Sequence, residues 1–437
     1  MFLLKFDRFS RNILSSQHIR CFCYKAIKRP NLNKAPDKEY IEKKMKEYDL
    51  PKLLQRKIQV SGPITIASYM REILTNPNSG YYMCRDVFGS KGDFITSPEI
   101  SQIFAELVAA WCIVEYQKVG MPKPLQIIEL GPGRGTFIQD ILRVCSKLRI
   151  VPSDSLSIHL VELSPYLSKM QAQKLCYSST EFEKQNDLPF YRIGETVSGS
   201  KVYWYNRIED VPKEFSIILA HEFFDALPIH KLQKDGNIWK EILVDIDPEN
   251  EEKFRFVISR NETPISKLYG TLHPDETRKH VEISPDSELI LKHIAERLEE
   301  FGGFGLIMDY GHFGEGEDTF RAFKEHNLHD PLDNPGTADL TADVNFANLK
   351  KILETDEKLI TFGPVEQGIF LERMGANERL DILLKSCEQD QKETLKSGLD
   401  MLVNRSKMGS RFKFLSMFPN VLKAYLEKFP VHGFSEK

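Results

Sequence analysis

The sequence lacks the features that define several classes of protein. Its 437 residues include only seven cysteines, and no pair after Cys23 has ligand-like spacing, so neither a disulfide framework nor a metal site is expected. No apolar run approaches the length of a membrane span, which predicts no membrane insertion. The net charge of −4 provides no strong positive field, so nucleic acid is not an expected partner. Repeats and low-complexity tracts are absent.

The first 30 residues differ in composition from the rest of the chain. Asp7 is the only acid there, serines are present, and Phe2, Phe6, Phe9 and Ile13 fall on one helical face. Basic residues recur through the segment, at Lys5, Arg8, Arg11, Arg20, Lys25, Lys28 and Arg29. This composition predicts a mitochondrial presequence over residues 1–30, with a basic tail as the alternative. Residues 31–62 are polar, and we expect a linker with an exposed helix.

A strand, a glycine turn and a helix are predicted between residues 125 and 145. The apolar run 125–130 has the character of a buried parallel strand and carries the acid Glu129 near its end. Gly131, Gly133 and Gly135 follow at alternate positions, and Thr136 is the predicted N-cap of an amphipathic helix. Glycines at such a turn allow the backbone to approach a ligand closely.

The glycine spacing distinguishes between ligands. A dinucleotide fingerprint, G-x-G-x-x-G, would need its third glycine at position 136, which is threonine. The pattern here is acid-x-G-x-G-x-G, which resembles motif I of class I methyltransferases that bind S-adenosylmethionine (SAM). That cofactor has a sulfonium, a ribose and a methionine tail, so Glu129 beside the glycines is a candidate ligand group. A glycine-rich turn without a ligand is the alternative.

Further acids follow two other predicted strands. Glu162 ends the strand 157–162, where a carboxylate can accept both ribose hydroxyls, unless it is a solvated loop acid. The buried strand 215–220 leads into Glu222 and Asp225, which lie three residues apart with two aromatic residues between them. Such acids can clamp a guanidinium, so both are candidate catalytic residues. The alternative for this pair is a surface turn with helix-capping acids.

A loop rich in glycine and aromatic residues, at 80–101, is another candidate for the site. It contains Asp93, which we place with the cofactor-binding residues, and Ser97, the predicted N-cap of a helix to about residue 117. A loop that only packs against the core is the alternative.

The predicted fold is α/β: a Rossmann-like class I SAM-dependent methyltransferase sheet. Residues 63–228 are assigned to N-terminal helices and the SAM-binding core. Residues 229–285 break the α/β pattern with short strands and predict an inserted antiparallel β lobe. Residues 286–437 would complete the core with a helix at 286–301 and a strand at 303–309. Residues 318–346 look loop-like, and the chain from residue 345 looks mainly helical, with one strand near 359–362.

Five segments in order resemble the MidA-like methyltransferases: residues 80–101, 129–136, 221–228, 318–323 and 338–346. The match extends from about residue 64 to 413. In bacterial relatives asparagine is common at the position of His221 and histidine at that of Asp343. The resemblance implies a SAM-dependent enzyme of the mitochondrial matrix. It also implies type II arginine methylation, which is symmetric dimethylation, on a matrix-arm subunit of respiratory complex I during assembly.

Two other functions remain open from the sequence. The chain could be a non-catalytic chaperone that binds SAM and assists complex I assembly, although intact glycines and acids favour an enzyme. The third hypothesis is a methyltransferase that acts on a small molecule or on RNA. The chain after residue 30 is not rich in basic residues, which argues against RNA. The sequence leaves the oligomeric state open, with a homodimer among the options.

Overall fold

The computed structural model describes residues 49–83, 86–87, 95–148, 150–182 and 188–435. Within these ranges no helix has both the length and the hydropathy needed to cross a membrane. The predicted presequence, residues 1–30, lies outside the described residues, as does Asp93.

The strands fall into a large mixed sheet, an antiparallel lobe sheet and a small three-stranded sheet. In chain order they are β1 (Ile64–Thr65), β2 (Leu125–Leu130), β3 (Leu156–Val161), β4 (Ser178–Glu181), β5 (Arg192–Glu195), β6 (Lys201–Tyr205), β7 (Ser216–His221), β8 (His230–Asp235), β9 (Ile238–Ile246), β10 (Phe254–Ile258), β11 (His280–Ile283), β12 (Gly303–His312), β13 (Arg321–Lys324), β14 (Asn327–His329), β15 (Asp339–Thr341), β16 (Val344–Asn345), β17 (Leu359–Glu366) and β18 (Phe412–Pro419).

Helices cover both faces of the large sheet and extend both ends of the chain. They are α1 (Leu50–Ser61), α2 (Ile66–Thr75), α3 (Ser97–Ile100), α4 (Gln102–Lys118), α5 (Thr136–Leu148), α6 (Pro165–Leu175), α7 (Pro264–Leu272), α8 (Pro285–Phe301), α9 (Phe346–Leu353), α10 (Gln367–Arg373), α11 (Ala376–Ser386), α12 (Gln389–Val403), α13 (Met408–Arg411) and α14 (Lys423–Lys428).

The large sheet has the strand order β17-β18-β12-β7-β2-β3-β6-β5-β4. Its five central strands, from β12 to β6, are parallel. The chain enters at β2, builds β3 and β6 on one side, and then crosses to β7 and β12 on the other. The order therefore reverses between β2 and β7, and ligands bind at such a switch point, beyond the carboxyl ends of the strands.

The apolar strands of this sheet are buried on both faces, as their sequences predict. All six residues of β2 are buried. Ile127 packs into the core on the face covered by α4 and α5, whereas its neighbour Ile128 packs against α8 and α9. Alternate residues of one strand therefore supply two cores, and the fold is a three-layer α/β/α sandwich.

The predicted inserted lobe is confirmed as a separate antiparallel sheet. β8, β9, β10 and β11 form it, and helix α7 packs on it through Tyr269 and Trp239. The lobe also recruits the N-terminal segment, because β1 pairs with β9 and α2 places Ile66 and Met70 in the lobe's core. The N-terminal helix α2, at the start of the segment 63–228, thus has hydrophobic partners in the lobe.

Several local predictions are wrong. Residues 50–61 of the predicted linker form α1, whose Leu50, Leu54 and Ile58 are buried rather than exposed. The helix predicted from Ser97 to about residue 117 is interrupted at Ser101, which caps α4 through its hydroxyl.

Two strand regions were also missed. Residues 318–346, expected to be loops, contain β13, β14, β15 and β16. The C-terminal part contains β18, whose eight residues are all buried between β12 and β17. A strand flanked by helices in sequence leaves little local signal, because its partners are more than 40 residues away along the chain.

A buried arginine connects α8 to the amino ends of the central strands. The Arg297 side chain is 1% exposed, and its Nη2 donates to Gln126 Oε1 at 2.7 Å while Nη1 donates to the Val211 carbonyl at 3.0 Å. Nε donates to Ser216 Oγ at 3.3 Å. Burial lowers the pKa of this guanidinium to about 10.

We expect Arg297→Met to lower the free energy of unfolding by about 3 kcal/mol, because it leaves buried acceptors without a donor. Lys292→Met is the matched control on the same helix. Its ammonium is about half exposed and pairs with Glu288 at 2.6 Å, so its loss should cost less than about 0.5 kcal/mol. Denaturant unfolding of both variants measures the difference in the free energy of unfolding. Equal stabilities would show that the hydrogen bonds of Arg297 do not stabilise the contact between α8 and the central strands.

Candidate active site

The glycine turn at the end of β2 adopts a backbone that favours glycine at each of its three positions. Gly131, Gly133 and Gly135 have φ values of +62°, +51° and +70°. A Cβ added at Gly131 would lie 2.9 Å from Cδ2 of Phe223. Helix α5 begins at Thr136, and the Gly135 carbonyl accepts the N–H of residue 139 at 3.2 Å. Gly135 therefore occupies the N-cap position, and the prediction of Thr136 as N-cap is wrong by one residue.

Glu129 and Glu162 lie beside this turn and are both buried, at 2% and 8% exposed. Glu162 Oε1 accepts the N–H of Ser164 at 2.8 Å, and Oε2 accepts Nε2 of Gln171 at 3.0 Å. Gln171 Nε2 also donates to the Gly133 carbonyl at 2.7 Å. Gln171 is not a predicted site residue, yet it holds the predicted ribose-binding acid in position relative to the turn.

The electrostatics of this pair favour a ligand that provides hydrogen-bond donors or positive charge. Burial raises the pKa of Glu129 to about 8, and the nearby Glu162 carboxylate adds to the rise. Burial also raises the pKa of Glu162 to about 7, against the opposing effect of its hydrogen bonds. Oε2 of Glu129 is buried without a hydrogen-bond partner. An orphaned carboxylate oxygen next to an open glycine cradle fits the amine and ribose of SAM.

A second acid pair follows β7. Glu222 has a left-handed backbone, with φ at +49°, and such non-glycine residues concentrate at functional sites. Its N–H donates to the Met308 carbonyl at 3.0 Å. The fully buried Asp309 accepts the N–H groups of Phe223 at 3.1 Å and Phe224 at 2.9 Å through one oxygen, Oδ2. Asp309 therefore holds the turn that carries both predicted catalytic acids.

Asp225 is 6% exposed, and only one of its two carboxyl oxygens accepts hydrogen bonds. Oδ2 accepts the Tyr310 hydroxyl at 2.5 Å and Thr341 Oγ1 at 2.9 Å, whereas Oδ1 is buried without a partner. Burial raises the pKa of Asp225. Burial and the adjacent Asp225 charge raise the pKa of Glu222 to about 8.

Two cavities meet at Glu222. The larger, about 410 Å³, is lined by residues that include Glu162, Glu222 and Asp225. The smaller, about 50 Å³, is lined by residues that include Glu129 and His221. Gly131, Gly133 and Glu222 line both. The structure thus brings the described members of the predicted site to these two cavities, except Gly135, which lines neither. Glu222 lies where the cavities join.

His221 and Arg134 line the smaller cavity together with Glu222. His221 Nε2 lies 3.2 Å from Glu222 Oε1 but lacks the geometry of a hydrogen bond. Burial lowers the pKa of His221 to about 3, so the ring is neutral. Arg134 pairs with Asp86 at 2.6 Å and Glu99 at 3.2 Å. In the described part of the chain, no cluster of three or more His, Cys, Asp or Glu side chains could hold a metal.

Asp309 and Tyr310 are site residues that the sequence reasoning missed. Asp309 follows an apolar run, the same signal that selected Glu129 at the end of β2. Applying the rule to every predicted parallel strand would have found it. Tyr310 carried no such signal, since its role depends on a contact with Asp225, 85 residues away.

The fold and site define a class I SAM-dependent methyltransferase. A family model described as putative S-adenosyl-L-methionine-dependent methyltransferase matches residues 107–365. A Drosophila melanogaster protein, named mitochondrial protein arginine methyltransferase NDUFAF7 homolog, is 51% identical over 97% of this chain and all of its own length. The human mitochondrial protein arginine methyltransferase NDUFAF7 is 48% identical over 84% of this chain and 82% of its own.

A solved structure shows the same fold. It is a COG1565 superfamily member from Burkholderia thailandensis bound to S-adenosyl-homocysteine (SAH), with a TM-score of 0.71 at 20% identity over 88% of this chain and 95% of that one. The match to the family model and the identity to the Drosophila protein show that the chain belongs to the family of putative S-adenosyl-L-methionine-dependent methyltransferases. The predicted fold class, SAM as cofactor and the resemblance to MidA-like methyltransferases are confirmed.

We expect Gly131→Ala to weaken SAM binding by about tenfold or more, because the added methyl group forces Phe223 to move at the cavity wall. Gly236→Ala is the matched control. Its φ of +60° imposes a similar backbone strain, but nothing lies within 4 Å of the added Cβ, and Gly236 lies in the lobe hairpin. Calorimetric titration with SAM compares the two, and equal affinities would mean that the turn does not contact the cofactor.

Proposed function

We propose that this chain is a protein arginine methyltransferase that transfers the SAM methyl group to a guanidinium nitrogen. The observation that carries the proposal is the position of Glu222, which lines both the glycine-turn cavity and the larger acidic cavity. A carboxylate at that junction can contact an acceptor nitrogen close to the cofactor. The names of the relatives, which are protein arginine methyltransferases, support the same substrate.

On this proposal the first acid pair and the glycine turn hold the cofactor. Glu129 would accept the methionine amine through its orphaned oxygen, and Glu162 would accept the ribose hydroxyls through the lone pairs that Ser164 and Gln171 leave unused. Bound SAM supplies an electrophilic methyl group on a sulfonium. The predicted contact of Asp93 with the cofactor stays a prediction.

The second acid pair would bind the substrate. Glu222 and Asp225 orient the guanidinium and compensate its charge at the wall of the larger cavity. As the N–C bond forms and the C–S bond breaks, the product guanidinium keeps one positive charge and one proton departs. Glu222 receives that proton and passes it to solvent, which suits a carboxyl group whose pKa is raised to about 8.

The finer assignment is type II activity, symmetric dimethylation of a matrix-arm subunit of complex I within the mitochondrial matrix. Support comes from the presequence-like composition of residues 1–30 and from relatives named as mitochondrial. Intact-mass and fragment analysis of matrix-arm subunits, with and without this protein, tests the assignment. Symmetric dimethylarginine that depends on the protein is expected, and unmodified subunits in both samples would contradict it.

A non-catalytic assembly chaperone is the competing function. Gly133→Val separates the two, because a valine at φ of +51° should abolish SAM binding while the remote surface is kept. Complementation of a complex I assembly defect by a variant that binds no SAM would favour the chaperone. Failure to complement, with normal protein levels, is expected.

We expect Glu222→Gln to lower kcat for arginine methylation by about 100-fold or more, because it removes the charge that compensates the guanidinium. SAM affinity should stay within about twofold of the wild type. Glu354→Gln is the control: this carboxyl accepts the Thr361 hydroxyl at 2.6 Å and lines neither cavity. Methyl transfer by Glu222→Gln at the wild-type rate would exclude Glu222 from the mechanism.

The raised pKa of Glu222 predicts a pH dependence with a defined sign. Below about pH 8 this carboxyl is neutral in the free enzyme, and a cation binds the ionised form, so the affinity for arginine should increase with pH. The KM of an arginine peptide at saturating SAM should fall by up to about tenfold per pH unit from 6 to 7.5 and level off above 8. Glu222→Gln should flatten the profile, and a KM that rises with pH would contradict the assignment.

A further inference from the structure

The wall of the larger cavity beyond Glu222 contains four polar side chains from separate parts of the chain. Tyr82 follows α2, Asp225 follows β7, Tyr310 is in β12 and Asp339 begins β15. All four line the cavity. Of the four, Asp225 is a predicted site residue, whereas Tyr82 lies in the candidate loop 80–101 and Asp339 in the segment 318–346 without having been singled out.

The four side chains form two tyrosine–aspartate pairs. The Tyr310 hydroxyl donates to Asp225 Oδ2 at 2.5 Å, and the Tyr82 hydroxyl donates to Asp339 Oδ1 at 2.7 Å. The aspartates are 6% and 4% exposed. Each tyrosine therefore uses its proton to fix the orientation of a buried carboxyl group, and the other carboxyl oxygen of Asp225, Oδ1, is left without a partner.

Both pairs line the same cavity as Glu222, so one ligand in that cavity can reach both pairs. Beyond the effect of burial, the charges of Asp225 and Asp339 both raise the pKa of the Tyr82 hydroxyl and of the Tyr310 hydroxyl. The same two aspartates add to the rise in the pKa of Glu222. The charges of Asp225 and Asp339 thus both act on Glu222 at this end of the cavity.

The cavity provides little positive charge to compensate these acids. Arg207 is the basic side chain among the described lining residues, and it is largely exposed and bonded to Glu209 at 3.3 Å. Arg321 lies behind the wall, with its guanidinium carbon 5.4 Å from the centroid of the Tyr310 ring. It pairs with Asp343 at 2.5 Å, and its charge offsets only part of the rise that burial causes in the pKa of Asp225. The wall is therefore complementary to a cation that arrives from outside the protein.

We propose that the Tyr82–Asp339 and Tyr310–Asp225 pairs form the guanidinium-binding wall of the substrate site, and that Asp339 is a third arginine-binding carboxylate beside Glu222 and Asp225. The inference rests on the proposed arginine methyltransferase function and adds the residues that select the substrate. Tyr82 and Tyr310 act as positioning residues, because their hydroxyls hold the carboxylates.

This wall selects arginine over lysine. A guanidinium has five N–H donors in one plane and can satisfy several fixed carboxylates at once, whereas an ammonium has three donors on one atom. Bound lysine would leave part of the buried acid cluster without a donor, and unpaired buried acceptors are costly. Selection therefore comes from the number and spacing of acceptors rather than from charge alone.

The test measures binding of two small probes to the full chain saturated with SAH. The probes are N-acetylarginine methylamide and N-acetyllysine methylamide, titrated by calorimetry or NMR. The wild type should bind the arginine probe about tenfold or more tightly than the lysine probe. Asp339→Asn should weaken the arginine probe by about tenfold and Tyr82→Phe by about threefold, with SAH affinity unchanged in both.

Matched controls separate this role from general stability. Tyr269→Phe removes another tyrosine–carboxylate bond, from the hydroxyl to Glu276 at 3.0 Å in the lobe. Asp245→Asn alters an aspartate of β9. Neither residue lines the cavity, so both variants should bind the probes as the wild type does. If Asp339→Asn misfolds and loses SAH binding, the affinity of Tyr82→Phe for the arginine probe alone tests the proposed wall.

The outcomes separate this inference from the proposed function. If Asp339→Asn and Tyr82→Phe both keep the probe affinities and the arginine selectivity of the wild type, the guanidinium-binding wall is excluded. The proposed arginine methylation is unaffected by that result. A wild-type protein that binds the arginine probe through Asp339 but methylates no arginine peptide would retain the wall and overturn the proposed function.

Discussion

The burial of carboxyl groups at one edge of a parallel sheet is the constraint on which the rest of the structure depends. Glu129, Glu162, Glu222 and Asp225 follow or end adjacent strands and are largely removed from water. Burial raises the pKa of each one. A cluster of this kind is costly to fold, because each group either loses hydration as an anion or must keep a proton at neutral pH. The surrounding three-layer core makes that cost tolerable.

The acids are divided between two ligands by geometry. The first pair lies against the glycine turn, where Gln171 connects Glu162 to the Gly133 carbonyl. The second pair lies on a turn whose N–H groups are bound by Asp309. Glu222 belongs to both cavities, and its left-handed backbone places it there. Two separate hydrogen-bond networks thus hold the two acid pairs, and Glu222 is the acid that lines both cavities.

The sequence predicted the parts of this arrangement that have a local signal. Apolar runs ending in acids located β2, β3 and β7, because a strand buried on both faces has no polar alternation and its end is marked by a change of residue type. The lobe hairpins were predicted for similar reasons, from turn residues between short alternating strands.

The contacts that complete the site have no local signal. Tyr310 and Asp339 carry roles that depend on partners far away in sequence, and β18 is defined by the strands on either side of it. The apolar face of the N-terminal helix α2 fits any hydrophobic surface, so its sequence does not indicate that it packs on the lobe. Local patterns identify elements and their ends, whereas pairing across the chain decides which side chains share a cavity.

Measuring the protonation state of the buried acids tests most directly whether they bind cationic ligands. Infrared difference spectroscopy detects the carbonyl band of protonated carboxyl groups, and the full chain can be measured at pH 6.5 alone, with SAH, and with SAH plus an arginine probe. We expect protonated carboxyl groups in the free protein and a stepwise loss of their band as the two ligands bind. A band that is absent from the free protein, or that is unchanged by both ligands, would contradict this view of the site.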